Sequence, residues 1–462
     1  MLTSISPIDG RYEKQTDALK AFFSEQALMR YRIIVEGEYF IALSQSKLGK
    51  RKLSDKEKKL VRSLYEPKGS DAQIISDIER KGHKGIPATN HDVKAVEYFI
   101  KLKLKNTSLK NVLEWVHFGL TSEDVNNLSY ALMLKDGITR GLMPSLNEII
   151  LNLTSQAKKY KNLPMLSRTH GQPASPTTFG KEMRVFKERL QRQANKLKSQ
   201  TILCKLNGAS GNYNAHMAAF PKVNWIKFSQ KFISHLNSLG PKTFLNLEPN
   251  LYTTQIEPHD SYIEIFDTFR RINTILVDFN QDIWRYISDG WITQKTVAGE
   301  IGSSAMPHKV NPINFENSEG NLGLANALFN HFANKLPISR LQRDLSDSTV
   351  QRNFGTALAH SIIAYKYLLK GLAKISPDPQ KMAADLEKHP EVIAEAIQTV
   401  LRREGVKMPY EQLKELTRGE NVTLNDIHRF INNLEISDRV KKELKEFTPH
   451  SYTGLASRLA QS

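Results

Sequence analysis

The stretch GSSAMPHKVNPINFENSEGN, Gly302 to Asn321, gathers three serines, a histidine, a lysine, four asparagines and two glutamates. Little in it is large and apolar apart from Met306, Ile313 and Phe315, so core packing does not explain its composition. Gly299, Gly302 and Pro307 keep 299–312 out of regular helix, and Pro307 and Pro312 fix the chain on both sides of Lys309 and Asn311. A polar loop of this kind between rigid helices is the usual form of a mobile lid over a site of chemistry.

Four other polar segments suit particular chemical tasks. In LSRTHGQPASPTTFGKEM (Leu166 to Met183), Thr169 and His170 stand in Gly- and Pro-marked, irregular chain. A histidine held there beside hydroxyls is either a proton donor or a structural surface residue. In SRLQRDLSDSTVQRN (Ser339 to Asn353), Arg340, Arg343 and Arg352 flank Ser348 and Thr349, which read as helix caps. Arginines beside a helix N-terminus are what a phosphate requires. In HFGLTSEDVNN (from His117), Thr121 with Asp124 resembles a capping box. The same helix start, with free N–H groups and two hydroxyls, also suits an anion. In TNHDVKAVEYF (Thr89 to Phe99), Thr89 or Asn90 is the natural N-cap, Asp92 suits the first turn, and His91 faces solvent.

Long helices must position these segments. Residues 259–289 contain neither Gly nor Pro, and Phe266, Phe269, Ile272, Leu276, Phe279, Ile283 and Tyr286 recur at steps of three and four. That is one continuous apolar seam on a helix long enough for a bundle. Further stripes are Leu146, Ile149, Ile150, Leu153 and Ala157, then Val185, Phe186, Leu190, Ala194 and Leu197. Alternating period-two runs are scarce, so an all-α fold with a central bundle of long helices is expected. The prolines of ISPDPQ (Ile375 to Gln380) mark one boundary, and a weaker one lies at 106–111. The expected domains are 1–111, 112–373 and 374–462.

The formal net charge is +17, concentrated in runs such as KLGKRKLSDKEKKLVR and KLKLKNTSLK. Those runs carry no interleaved aromatics and no recognisable nucleic-acid motif, so solvated helix faces explain them better than nucleic-acid binding does. A single cysteine, Cys204, excludes an intramolecular disulfide framework and fits a reducing compartment. No apolar signal segment follows Met1 and no run of 18 apolar residues occurs, so a cytoplasmic location without membrane contact is expected. No His/Cys/Asp cluster has metal-ligand spacing, so neither a metal nor a cofactor is expected.

Taken together, these residues carry a resemblance. GSSAMPHKVNPINFENSEGN resembles the signature of the fumarase/aspartase superfamily, G-S-S-x-M-P-x-K-x-N. TNHDVKAVEYF, TSEDVNN, RTHGQPA, TTQIEPHD (Thr253 to Asp260) and RDLSDSTVQRN are similar to the adenylosuccinate lyase family of bacterial purine-pathway type. The resemblance runs from SPIDGRY (Ser6 to Tyr12) to YEQLKELTRG (Tyr410 to Gly419) and is weakest over 47–85.

It implies a homotetramer of the superfamily lyase fold and β-elimination of fumarate from succinyl-nucleotides. By that resemblance Ser303 is the base and His170 the general acid; His91 is the second choice for the acid and otherwise arranges substrate and His170. Thr121, Ser122, Thr169, Gln255, Ser304, Lys309 and Asn311 would hold the succinyl carboxylates. Arg11, Tyr12, Asn90, Asp92, Asn317, Arg343, Ser348 and Arg352 would hold ribose, base and phosphate, with Val310, Thr349, Val350 and Gln351 also at the substrate. The chemistry explains the loop. Loss of a proton from the carbon beside a carboxylate puts a second negative charge on that carboxylate, and Lys309, Asn311 and loop N–H groups are suited to stabilise it. The alternatives are another lyase of the superfamily, such as argininosuccinate lyase, aspartase or fumarase, an inactive scaffold, and a basic nucleic-acid-binding protein.

Overall fold

The computed structural model describes residues 2–46, 48, 51–295, 306, 308–417 and 422–461. The chain divides into two compact units. The first holds 1–146, 193–274 and 320–366; the second holds 147–192, 275–319 and 367–462. Helices dominate both, as the sequence periodicity predicts.

The first unit opens with α1 (Glu13–Phe23), α2 (Glu25–Gln45), α3 (Asp55–Arg62), α4 (Gly69–Arg80), α5 (Asp92–Leu104) and α6 (Ser122–Asp136). α2 packs against α5 and α6 and is buried on almost every side. It carries three buried charges, Arg32, Glu36 and Glu38, each with a partner: Asp92 at 2.7 Å, His117 at 2.5 Å and Arg62 at 2.7 Å. An unpartnered charge at such a depth costs several kcal/mol, so these pairs favour one docking of α2 over others. Val93, Val96, Phe99 and Ile100 of α5 are buried, as their stripe requires.

The chain continues through α7 (Met143–Lys159), the hairpin β1 (Pro164–Thr169) and β2 (Gln172–Thr178), α8 (Phe179–Lys198), β3 (Thr201–Cys204), α9 (Asn214–Ala219), α10 (Trp225–Asn237) and β4 (Asn246–Pro249). α11 (Asp260–Ser288), β5 (Ile292–Gln294), α12 (Ile313–Lys335), α13 (Ser346–Gln351), α14 (Phe354–Leu372) and β6 (Ile375–Pro377) follow. Six shorter helices, α15 (Pro379–Glu387), α16 (Ala394–Arg403), α17 (Pro409–Thr417), α18 (Leu424–Asn433), α19 (Asp438–Lys445) and α20 (Ala456–Gln461), complete the described chain. Among the described residues the short sheets are β1 with β2, β3 with β4, and β5 with β6.

α11 occupies nearly the whole Gly- and Pro-free run, and its seam residues Phe266 to Ile283 are fully buried, with Tyr286 half-buried. In the first unit Phe266 meets Phe329, Phe332 and Phe354 at ring-centroid distances of 4.9–5.5 Å. The stripe on α7 is buried throughout, whereas Val185 on α8 is 37% exposed and lies at the edge of its stripe. At the prolines of 375–380 a new helix starts for local reasons: Asp378 caps α15 by accepting from the N–H groups of Gln380 and Lys381, and Pro379 takes the first helical position. Among the described residues no helix is long and apolar enough to cross a membrane.

Candidate active site

In the first unit, the starts of α5 and α6 meet. Thr89 and Asn90 were the expected caps of α5, but His91 itself takes that position, its Nδ1 accepting from the Lys94 N–H at 3.4 Å. Thr89 instead accepts from the His91 N–H, and Asn90 adopts φ +47°, a left-handed conformation that asparagine tolerates. With Nδ1 accepting, a neutral His91 ring carries its proton on Nε2, which faces Ser122 Oγ at 3.2 Å. His91 is exposed, so the pair Ser122–His91 is open to a ligand.

The capping interaction expected at α6 is present. Asp124 accepts from the Thr121 N–H at 2.9 Å, and its carboxylate also takes the Lys205 ammonium at 2.8 Å and the N–H groups of Asn207 and Gly208. This wholly buried ion pair ties the start of α6 to the segment after β3.

Arginines bring α13 and its flanks to the same place. Arg352 reaches Asp92 at 2.8 Å and Glu25 at 3.0 Å, and Asp92 also holds Arg32 at 2.7 Å. Burial alone would push the Asp92 carboxyl up; Arg32, the Val93 N–H and Arg352 instead hold it below the ordinary carboxylate value. Arg343 donates to Gln255 Oε1 at 3.3 Å and lies 3.4 Å from Glu123 Oε2. Ser348 and Thr349 lie inside α13 rather than capping it. Asp344, just before the helix, and Asp347 within it meet the N–H groups of Ser346 and Ser348 at 2.8 Å each, so carboxylates of the chain itself occupy the helix start. Val350 and Gln351 are buried, and the Gln351 amide bonds His259 at 2.8 Å. Arg11 is exposed, and Tyr12 stands at the N-cap position of α1.

The second unit holds the other group. Thr169 and His170 are not in irregular chain. Thr169 pairs with Gln172 across the hairpin, leaving His170 and Gly171 as a two-residue turn. Both have positive φ, +53° and +76°, as the twist of a tight hairpin demands. The hairpin therefore presents His170 at its tip, exposed. Lys309 and Val310 are exposed, while Asn311 and Asn317 are half-buried and engaged. The segment is moored on both sides: Gln294 donates to the Val310 carbonyl at 2.9 Å, and Phe315 is buried where Gly371 leaves room for its ring. α12 begins at Ile313, directly after Pro312; Asn280 donates to Ser318 and Trp284 to Glu316 from the facing part of α11. Ser303 and Ser304 lie outside the described residues, as does most of 299–312.

Sequence reasoning missed Arg32, Glu123, Lys205, His259 and Asp347, and read Asp124 only as a helix cap. Glu123, Asp124, His259 and Asp347 stood within quoted motifs. Arg32 had one signal, a charged residue within the apolar run of α2. Glu123, His259 and Asp347 are buried, and one side-chain ligand-type atom from each lies within 4.8 Å of the others. Burial pushes the His259 imidazole down to about 4, leaving it neutral, and pushes the Glu123 carboxyl up to about 8.

Comparisons with known proteins place the chain in a family. The Lyase family model matches residues 10–326, and the Adenylosuccinate lyase C-terminal model matches 339–453. The chain is 49% identical to an adenylosuccinate lyase of Legionella pneumophila (strain Corby) over 465 residues, covering 100% of this chain and 98% of the relative. It is 50% identical to that of Dictyostelium discoideum, covering 98% and 97%, and 47% identical to that of Escherichia coli (strain K12), covering 98% and 97%. Crystal structures of a fumarate lyase from Mesorhizobium sp. BNC1 and of 3-carboxy-cis,cis-muconate lactonizing enzyme from Pseudomonas putida share the fold. Their TM-scores are 0.73 and 0.71, at 14% and 17% identity, covering 96% of this chain and 96% and 95% of theirs. The chain belongs to the adenylosuccinate lyase family, within the wider lyase fold.

Proposed function

We infer that the protein cleaves adenylosuccinate to AMP and fumarate, and succinyl-aminoimidazole carboxamide ribotide to its carboxamide ribotide and fumarate, by β-elimination in the cytoplasm. The observation that carries this reading is the cluster in the first unit. Exposed His91 bonded to Ser122, Gln255 bonded to Arg343, and Arg352 beside Asp92 supply hydroxyl, amide and guanidinium donors suited to a succinyl group and a phosphate.

In this reading Ser303, as an alkoxide, removes the proton from the succinyl carbon next to a carboxylate. Lys309 and Asn311 stabilise the second negative charge that develops on that carboxylate. The C–N bond then breaks, its electron pair passes to the purine 6-amino nitrogen, and His170 delivers the proton that nitrogen needs. The hairpin suits His170 to that task, because a two-residue turn fixes the backbone while the ring stays exposed. Thr121, Ser122, Thr169 and Ser304 hold the succinyl carboxylates; Arg11, Tyr12, Asn90 and Asn317 hold ribose and base.

Purified protein should shift the purine absorbance of adenylosuccinate and leave argininosuccinate and aspartate untouched. Turnover of argininosuccinate in place of adenylosuccinate would transfer the assignment to another lyase of the fold.

Two variants separate binding from chemistry. Lys309→Met is expected to lower kcat by roughly 10²–10³-fold, because Lys309 faces charge that appears only in the transition state. Arg343→Gln is expected chiefly to raise KM, by roughly 10–100-fold, because the phosphate is charged throughout. Steady-state kinetics that assigned the kcat loss to Arg343 and the KM rise to Lys309 would reverse the roles.

We also propose that the active species is a homotetramer whose sites combine residues of different copies. Leu151 on α7, Trp284 on α11 and Ile313 and Leu324 on α12 are 44–68% exposed in the single chain, apolar surface that a partner copy would cover. If His170 and Ser303 of one site come from different copies, refolding His170→Ala together with Ser303→Ala restores roughly one site in four. Reassembled tetramers without recovered activity would place both residues on one copy.

A further inference from the structure

Three buried polar atoms without partners belong to one linked group, Glu123 Oε1, Asp347 Oδ2 and Arg343 Nε. Glu123 is 1%, His259 0% and Asp347 3% exposed. Buried groups left unsatisfied are rare, and three in one linked group need a common explanation.

Charge counting supplies it. Arg343 Nη2 lies 3.4 Å from Glu123 Oε2 and 4.0 Å from Asp347 Oδ1. The charged groups around Glu123 are Arg343 and Asp347 from the α13 region, Lys205 from the segment after β3, and Asp124 from α6 itself. Lys205 is already paired with Asp124 at 2.8 Å, and His259, at the start of α11, is neutral. Two buried carboxyl groups thus share one contacting guanidinium, Lys335 being the smallest influence on Asp347, and a second buried negative charge with no cation of its own in contact would be strongly unfavourable. One carboxyl must hold a proton. Asp347 Oδ1 accepts the Ser348 N–H at 2.8 Å, a bond that favours its charged form, whereas Glu123 has only its long contact to Arg343. The proton therefore belongs on Glu123.

We propose that Glu123, His259 and Asp347 are positioning residues for Arg343, and that Glu123 acts as a neutral carboxylic acid which leaves the guanidinium available to the substrate's phosphate. Gln351 holds the His259 ring from behind at 2.8 Å, and His259 fills the space beside both carboxyl groups. When Glu123 loses its proton, its new charge faces Arg343 at close range, draws the guanidinium inward and cancels its field at the phosphate. Burial, opposed by Arg343, places that loss at about pH 8. The inference rests on the assignment of Arg343 to the phosphate.

The test is KM for adenylosuccinate between pH 6.5 and 9.5 in wild type, Glu123→Gln, Asp347→Asn and Arg343→Gln. The substrate phosphate is fully ionised well below pH 8 and contributes no change there. Only the protonated enzyme binds well, so wild-type KM should rise with pH, by roughly tenfold one unit above the midpoint. Glu123→Gln keeps a neutral group of the same shape and should abolish that rise. Asp347→Asn should raise KM while kcat falls by much less. Coincident KM profiles for wild type and Glu123→Gln would overturn the inference. If Arg343→Gln left KM unchanged, the phosphate assignment would fail instead. Should Glu123→Gln not fold, infrared difference spectroscopy of the wild-type enzyme decides. A neutral-carboxyl band that vanishes on titration through pH 8 is expected, and its absence at pH 7 overturns the proposal. One equivalent of a divalent metal in the purified protein, lost in Asp347→Asn, would also overturn it, because a bound cation would replace the proton.

Discussion

Ser303→Ala should lower kcat for adenylosuccinate by roughly 10²–10⁴-fold, the range that loss of a positioned proton acceptor produces. KM should change little, because the hydroxyl takes part in the transition state and adds little to ground-state binding. A serine hydroxyl is a poor base unless neighbouring N–H groups and a cation stabilise its alkoxide, which is why Gly302, two small residues and Lys309 belong together in the sequence. Ser304→Ala is the matched control. If Ser304→Ala lost turnover and Ser303→Ala kept it, the base would be the neighbouring residue.

Asp124→Ala should destabilise the fold by about 3–5 kcal/mol, the usual consequence of leaving a buried charge without its partner. Asp124 accepts from Lys205 and from the N–H groups of Thr121, Asn207 and Gly208 in complete burial, and without it the Lys205 ammonium retains only the Gly208 carbonyl. Urea denaturation should show the lowered midpoint, and the double variant Asp124→Asn with Lys205→Met should recover part of the loss. A midpoint for Asp124→Ala equal to that of wild type would mean that Lys205 finds another partner or loses its proton.

Much of this organisation is legible in the sequence, for physical reasons. α11 was expected over 259–289 and spans Asp260–Ser288, because an uninterrupted apolar seam can be satisfied only by a helix. The Thr121–Asp124 cap at α6 was legible because a cap is a local interaction, with both partners three residues apart. His91 as an N-cap was not, since histidine lies outside the usual capping residues and only the geometry places its Nδ1 on the Lys94 N–H. The hairpin bearing His170 was read as irregular chain. Its strands are short and rich in proline, and its turn uses His-Gly where the strong signal is Asn-Gly. The network beneath Arg343 was invisible for another reason. Glu123, His259 and Asp347 are separated by more than eighty residues at each step, and nothing in a single sequence records that they meet.

Elimination is tested most directly by incubating purified protein with adenylosuccinate and measuring every product together. One fumarate per AMP is expected, with no product from Ser303→Ala. Malate in place of fumarate would indicate displacement by water at the succinyl carbon, and IMP with aspartate would indicate hydrolysis at the purine. Either result would contradict β-elimination.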